Sequence, residues 1–102
     1  VQEIIGKNKV ESILIKNVKT GEGEVKPIDG VFIAVGRKPN TGFIDVEKDE
    51  LGYIKVNEEM ETSVKGVFAA GDCTSIKWRQ ITTAVGEGAK AAISAEKYIE
   101  KL

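Results

Sequence analysis

Two extended stretches near the start of the chain carry its first clear pattern. Residues 10–18 are rich in β-branched side chains, and residues 24–28 follow after a turn-forming cluster at 19–23. Stretches of this kind joined by a glycine-containing turn predict a β-hairpin. A continuous apolar run at residues 31–35 comes next and stops at residues 36–40, where glycine and proline end a strand. Such a run is typical of a buried strand.

The middle of the chain predicts two further short strands. Residues 41–50 have mixed charge and no firm period, which indicates a loop. Residues 51–56 alternate between polar and apolar side chains, as in a strand with one face in water. Residues 67–70 form a short apolar run that ends at Gly71 and Asp72. We therefore predict a second buried strand whose carboxyl end presents that aspartate.

The last part of the chain has the clearest helical period. Apolar residues recur at close to 3.6 residues there, which predicts a helix from about Gln80 to about Glu100. Most of its charged residues, such as Glu87, lie off this stripe and are expected on a solvated face. A few short strands and one long helix do not complete a layered α/β fold, because a buried parallel sheet needs helices on both faces. We expect an α/β segment, α+β in its own content, of a larger fold. The apolar stripe consists of Ile81, Val85, Gly88, Ala92, Ala95 and Ile99.

Composition and charge exclude several classes of function. The 102 residues include 15 Lys and Arg against 16 Asp and Glu, and the net charge of -1 gives no electrostatic footprint for nucleic acid or an anionic membrane. No apolar run approaches the roughly 20 residues of a membrane helix, and the first residues lack the apolar core of a signal peptide. We expect a soluble, cytoplasmic protein. Histidine is absent and Cys73 is the single cysteine, which weakens metal, catalytic-triad and dithiol hypotheses.

The strongest candidate for chemistry is the segment 62–72 together with the Arg79-Gln80 pair that follows it. A buried strand ending at Gly71 would deliver the Asp72 carboxylate to the edge at which open α/β sheets bind ligands. Gly71 lets a ligand approach the backbone closely because glycine has no Cβ. Asp72 can then accept hydrogen bonds from a polyol. The start of the helix at Gln80 offers unpaired N–H groups and a partial positive charge, which suit a carbonyl or a ring that becomes anionic.

Three segments resemble a known family in their motifs and in their order. Residues 62–72 resemble the second FAD fingerprint of flavoprotein reductases with two dinucleotide-binding domains, T-x-x-x-x-apolar-apolar-x-x-G-D. Residues 77–89 are similar to the version of that region in low-molecular-weight bacterial and archaeal thioredoxin reductases, within the pyridine nucleotide-disulfide oxidoreductases. Residues 30–41 resemble the segment in which the family's inserted NADPH domain returns to the FAD domain. The matches cover nearly the whole chain from Val10 onward.

The resemblance implies roles for five residues. The family's Gly-Asp aspartate binds the ribityl chain of FAD, which implies that role for Asp72, with Gly71 beside it. The backbone groups of Gln80 and Ile81 are implied to face the pyrimidine edge of the flavin, with Arg79 nearby. No catalytic residue and no metal ligand is implied within this chain.

The resemblance also implies a division of the chain and a shared function. Residues 1–35 would end the NADPH-binding domain, residues 36–41 would form the linker, and residues 42–102 would belong to the FAD-binding domain. The glycine loops for the ADP half of FAD and for NADPH, and the CxxC dithiol, lie upstream in the family and are missing here. The implied enzyme, usually a homodimer, passes electrons from NADPH through FAD to a dithiol and on to a thioredoxin-like protein. This chain by itself is expected to be inactive.

Other interpretations stay open at this point. The flavoprotein subunit of alkyl hydroperoxide reductase has a similar C-terminal half, although it usually lacks an arginine at the position of Arg79. Ferredoxin- or flavin-type NADPH reductases usually depart from the segment that follows Arg79. A stand-alone α+β module that binds a partner without redox activity is an alternative of a different class. We interpret Cys73 as structural, Trp78 as a surface or flavin-contacting residue, and Gly86 and Gly88 as allowing helix packing, flavin proximity or both.

Overall fold

Two structural units make up the computed structural model, which describes residues 1–102. The first comprises Val1–Gly36 and is called the hairpin unit here. The second comprises Arg37–Leu102 and is called the helical unit. All residues singled out as candidates for chemistry lie in the helical unit.

The hairpin unit is an antiparallel sheet of three strands in the order β1-β2-β3. The strands are β1 (Glu3–Ile5), β2 (Ser12–Lys16) and β3 (Gly23–Pro27). The turn after β2 is closed by Asn17, whose side-chain oxygen accepts hydrogen bonds from the two backbone N–H groups of Lys19 and Thr20. The predicted hairpin is confirmed as β2 and β3. The short strand β1, which the sequence pattern did not predict, adds a third strand to it.

The predicted buried strand at residues 31–35 is not formed. Phe32 is fully exposed, and Ile33 and Val35 are exposed as well. A buried strand needs a neighbouring strand for its backbone and a layer of side chains to cover it. The sheet β1-β2-β3 does not extend to these residues, so the apolar run lies in water in this structure.

The two other predicted strands, at residues 51–56 and 67–70, are not formed, and isolated bridges are found there instead. Residues 51–56 pair only at Ile54, which bridges Lys48 and Thr74, and residues 67–70 pair only at Phe68. The expected alternation also fails, because the consecutive residues Tyr53 and Ile54 are both buried. Both predictions of a strand are wrong for the same reason: a ladder needs an extended neighbour over several residues, and each of these segments pairs with its neighbours at a single residue.

A small core holds the helical unit together. Its buried apolar side chains are joined by buried polar ones, each of which has a hydrogen-bond partner, as buried polar groups require. Thr41 donates to the Gly52 carbonyl at 2.6 Å, and Ser94 donates to a carboxylate oxygen of Glu59 at 3.2 Å. The buried residues of this core are Thr41, Val46, Tyr53, Ile54, Met60, Thr74 and Ser94.

The last element is the helix α1 (Ile81–Glu100). It confirms the predicted helix, and its bounds agree with the prediction to within one residue. It contacts the rest of its unit through buried Ser94 and through Tyr98, whose ring meets the ring of Phe68 edge-on at 6.2 Å between centroids. Most of its apolar stripe is exposed instead: Ile81 is 85% exposed, and only Ala95 is half-buried. No helix in the chain combines the length and the apolar character needed to cross a membrane.

Candidate functional site

A single turn of 3-10 helix, Gly71–Cys73, positions the candidate carboxylate of Asp72. Gly71 is buried and has a φ of 83°, in the left-handed region that favours glycine. A Cβ at this position would lie 3.6 Å from the Ala84 Cβ, an ordinary contact, so backbone conformation rather than space calls for glycine. Thr74 closes the turn, since its backbone N–H and its hydroxyl both donate to the Gly71 carbonyl at 3.0 and 2.8 Å.

The side chain of Glu87 ties this turn to α1. One carboxylate oxygen of Glu87 accepts a hydrogen bond from the backbone N–H of Gly71 at 2.8 Å. Glu87 is half-buried, so the expectation that it lies on a solvated face is wrong. The helical period placed Glu87 off the apolar stripe correctly, but that side of the helix carries a specific contact to the turn rather than open water.

The Asp72 carboxylate is held loosely and is accessible. Its nearest cation is Arg37, with 3.3 Å between a guanidinium nitrogen and a carboxylate oxygen, and both side chains are more than half exposed. An exposed ion pair of this kind contributes only about 0–1 kcal/mol. The carboxylate therefore retains the capacity to accept hydrogen bonds from a ligand.

The guanidinium group of Arg79 is occupied by contacts within the protein. Its Nε donates to the Asp72 carbonyl at 3.1 Å, and a terminal nitrogen donates to the Thr74 carbonyl at 2.9 Å. Its central carbon lies 3.8 Å from the centroid of the Tyr53 ring, which is a cation–π contact. Arg79 thus bridges the two residues that flank Cys73 and supports the backbone from which the Asp72 side chain projects.

The start of α1 lies beside this turn. The Gln80 N–H donates to the Thr83 hydroxyl at 3.0 Å, and the Gln80 carbonyl accepts from the Ala84 N–H at 3.0 Å. The Gln80 N–H therefore already has a hydrogen-bond acceptor in the first turn of the helix. Ile81 is the first helical residue, and its N–H has no acceptor within the helix, where the backbone dipoles leave a partial positive charge.

An open concavity of about 510 Å³ gathers most of the predicted site. It brings together Asp72, Arg79, Gln80 and Ile81, while Gly71 directly precedes Asp72 in the turn and does not line the concavity. One wall is polar, formed by the carboxylate and the guanidinium groups. The other is apolar, and its Ile81 and Val85 side chains are exposed. The full lining is Arg37, Asp72, Arg79, Gln80, Ile81, Ala84 and Val85.

Three residues of this arrangement were not predicted as parts of the site. Arg37 was placed in a linker, Tyr53 in a strand, and Glu87 on a solvated face. Arg37 is 35 residues from its partner Asp72, and Glu87 is 16 residues from Gly71. No local motif links residues so far apart in the chain. Among the other candidates, Cys73 is half-buried with its sulfur 3.4 Å from the Ala70 carbonyl oxygen.

Known proteins of one family are similar to this chain over most or all of its length. The family described as pyridine nucleotide-disulphide oxidoreductase matches residues 1–88. A thioredoxin reductase from Treponema pallidum is 47% identical over 103 residues, which cover 100% of this chain and 34% of that protein. The crystal structure of the thioredoxin reductase of T. acidophilum superposes with a TM-score of 0.80 at 46% identity, covering 96% of this chain and 33% of that one.

A protein with a different named activity is also similar to this chain. This protein, a component of the alkyl hydroperoxide reductase of Staphylococcus epidermidis, is 41% identical over 99 residues, which cover 95% of this chain and 20% of that protein. The chain thus spans about a third or less of the length of the relatives that it matches.

Proposed function

The chain belongs to the pyridine nucleotide-disulphide oxidoreductase family, and on that premise we propose that it is the C-terminal segment of an FAD-dependent thioredoxin reductase. The observation that carries the proposal is the convergence of Asp72, Arg79, Gln80 and Ile81 on one concavity at the start of α1. The similarity to thioredoxin reductases over the full chain supports the choice of activity. The segment supplies the ribityl and flavin side of the FAD site.

The residues of the concavity fit a flavin in their chemistry. The flavin carries a flat and partly apolar ring with polar atoms on one edge, joined to a polyol chain. An accessible carboxylate on Asp72 suits the hydroxyl groups of the polyol. The exposed apolar side chains of Ile81 and Val85 suit the ring, which would cover them and exclude water.

Asp72, Ile81 and Arg79 then have distinct tasks, and Gln80 caps the helix whose first N–H is that of Ile81. Asp72 accepts hydrogen bonds from the ribityl hydroxyls. The Ile81 N–H and the partial positive charge at the start of α1 would stabilise the negative charge that a flavin gains on reduction. Arg79 holds the backbone of Asp72 and Thr74 in place. When bound, the flavin supplies two-electron transfer between a nicotinamide and a disulfide.

The proposal assigns the remaining parts of the reaction to residues outside this chain. NADPH, the redox-active dithiol and the glycine-rich turn that binds the pyrophosphate of FAD belong to the rest of the reductase. The electron acceptor is a thioredoxin-like protein, and the complete enzyme is a cytoplasmic homodimer. Neither nucleic acid nor a membrane is part of the proposed function.

The proposal also assigns the two structural units to two domains. Residues 1–35 belong to the end of the NADPH-binding domain, residues 36–41 are the linker, and residues 42–102 belong to the FAD-binding domain. The boundary between the hairpin unit and the helical unit after Gly36 supports this assignment.

Two other functions are less well supported. The flavoprotein component of an alkyl hydroperoxide reductase shares the family and 41% identity with this chain over 99 residues. The family resemblance disfavours it, because it implies that this component usually lacks an arginine at the position of Arg79, which here bridges Asp72 and Thr74. A partner-binding module without redox activity would leave the concavity and its exposed apolar wall without a role.

The visible spectrum of the intact gene product tests the proposal. A protein of about 300 residues, as expected for two domains, should absorb as a flavoprotein after purification. It should oxidise NADPH when thioredoxin is supplied as the acceptor. Preferential reduction of a peroxide-linked disulfide partner would favour the hydroperoxide reductase. A colourless protein without NADPH oxidation would reject both redox functions in favour of the binding module.

A further inference from the structure

Tyr53 is fixed from both sides next to the turn that carries Asp72. Its backbone N–H donates to the side chain of Asp49 at 2.9 Å, and its carbonyl accepts from the Asp49 N–H at 2.8 Å. The following residue, Ile54, forms a parallel bridge with Thr74. Tyr53 is only 7% exposed, so its ring has little freedom to move.

The ring of Tyr53 forms a platform for the Arg79 guanidinium. The 3.8 Å between the guanidinium carbon and the ring centroid corresponds to direct contact with the ring face. From this platform, Arg79 donates to the carbonyls of Asp72 and Thr74. A long arginine side chain loses much rotational freedom when it adopts one geometry, and a rigid aromatic surface removes part of that freedom beforehand.

We propose that Tyr53 is a positioning residue of the cofactor site, acting through Arg79 to orient the Asp72 carboxylate. This inference rests on the proposed function. Tyr53 does not line the concavity at the start of α1 and so contributes to it through Arg79. It lines a neighbouring concavity of about 380 Å³, which also includes Asp72. Two consequences follow. The aromatic face is what matters, so phenylalanine should replace tyrosine at this position. The contribution of Tyr53 should also vanish once Arg79 is removed.

A double-mutant cycle on the intact protein tests both consequences. The variants are Tyr53→Phe, Tyr53→Leu, Arg79→Met and the double variant Tyr53→Leu/Arg79→Met, and the readouts are the FAD dissociation constant and the thermal midpoint. Tyr53→Phe should bind FAD within about twofold of the parent. Tyr53→Leu and Arg79→Met should each weaken binding by about 5- to 30-fold. The double variant should bind FAD no more weakly than the single variant with the lower affinity, because both substitutions remove the same contact between Tyr53 and Arg79.

A second tyrosine provides the matched control. Tyr98 also has a cation over its ring, Lys65 at 5.9 Å from the centroid, but it lies away from the concavity. Tyr98→Leu should lower the thermal midpoint and leave FAD affinity unchanged. The inference about Tyr53 would be wrong, and the proposed function would stand, if the effects of Tyr53→Leu and Arg79→Met on FAD affinity were additive. An unchanged FAD affinity in Tyr53→Leu would have the same meaning. A parent protein that binds no FAD would overturn the proposed function and this inference with it.

Discussion

Glu87 accepts a hydrogen bond from the backbone N–H of Gly71, with 2.8 Å between the carboxylate oxygen and the nitrogen. The contact joins the second turn of α1 to the 3-10 turn that presents Asp72. A charged acceptor on a buried backbone N–H is stronger than a neutral one, and losing it leaves the N–H without a partner. The position of the Asp72 carboxylate relative to the start of α1 therefore depends on Glu87.

Replacing Glu87 with leucine should lower the free energy of unfolding by about 1–3 kcal/mol, because the Gly71 N–H loses its acceptor. Urea denaturation of the intact protein measures the change. Glu96→Leu is the matched control, since Glu96 lies exposed on the same helix. An equal loss in the two variants would show that the Glu87 contact contributes nothing specific.

Replacing Asp72 with alanine should weaken FAD binding by about tenfold or more, because a hydrogen bond to a charged group contributes about 1.5–3 kcal/mol. Retention of flavin through dialysis and a titration of the stripped protein with FAD measure the effect. Asp45→Ala, at an exposed aspartate, should retain flavin as the parent does. An Asp72→Ala variant that keeps its flavin equally well would remove Asp72 from the site.

Alanine substitutions at two glycines should have opposite effects in the 102-residue chain. Gly71→Ala should destabilise it by about 1–2 kcal/mol, because alanine is strained at a φ of 83°. Gly86→Ala should stabilise it by about 0.5–1 kcal/mol, because the position is helical and no atom outside the adjoining helix backbone lies within 4 Å of the added Cβ. Denaturant unfolding measures both. A loss of stability in Gly86→Ala would indicate that α1 already packs closely at that position.

The 102-residue chain alone should show no NADPH-dependent disulfide reduction and should bind FAD weakly or not at all. A dinucleotide draws binding energy from both ends, and the glycine turn for the pyrophosphate is absent from this sequence. Its single cysteine, Cys73, cannot form a dithiol. Flavin fluorescence during an FAD titration and an assay with NADPH and a disulfide measure both properties. Micromolar binding together with turnover would identify an independent small flavoprotein.

The ion pair between Lys55 and Glu47 should make a small contribution to stability that disappears in alkali. Their 2.8 Å hydrogen bond, and then the charge of Glu47, raise the pKa of Lys55 above its ordinary 10.5. A raised pKa in the folded state means that the contribution is complete below 10.5 and is lost as the pH rises through the raised value. The thermal midpoints of the parent and Glu47→Gln should therefore differ slightly at pH near 7 and converge above the raised pKa. A difference that persists there would exclude this ion pair as its cause.

Local patterns in the sequence were sufficient for several elements. The hairpin of β2 and β3 follows from a β-branched stretch and a second extended stretch around a turn that Asn17 closes, and all of these contacts lie within a short stretch of chain. The helix α1 follows from its period and begins within one residue of the prediction. The resemblance to flavoprotein reductases also rests on contiguous motifs. The sequence alone thus determined the hairpin, the helix and the family.

Contacts between distant residues were decided only by the tertiary structure. Arg37 contacts Asp72, which is 35 residues away in the chain. Tyr53 contacts Arg79, and the bridge between Ile54 and Thr74 holds their segments near each other. No local motif encodes either contact. The apolar runs at 31–35 and 67–70 carry a strand pattern but form no strands, because a strand exists only when a neighbour supplies hydrogen bonds and cover. Helices and tight turns satisfy their backbones locally, and so sequence predicts them. Sheets and binding sites take their partners from elsewhere in the fold, and so only three-dimensional packing decides them.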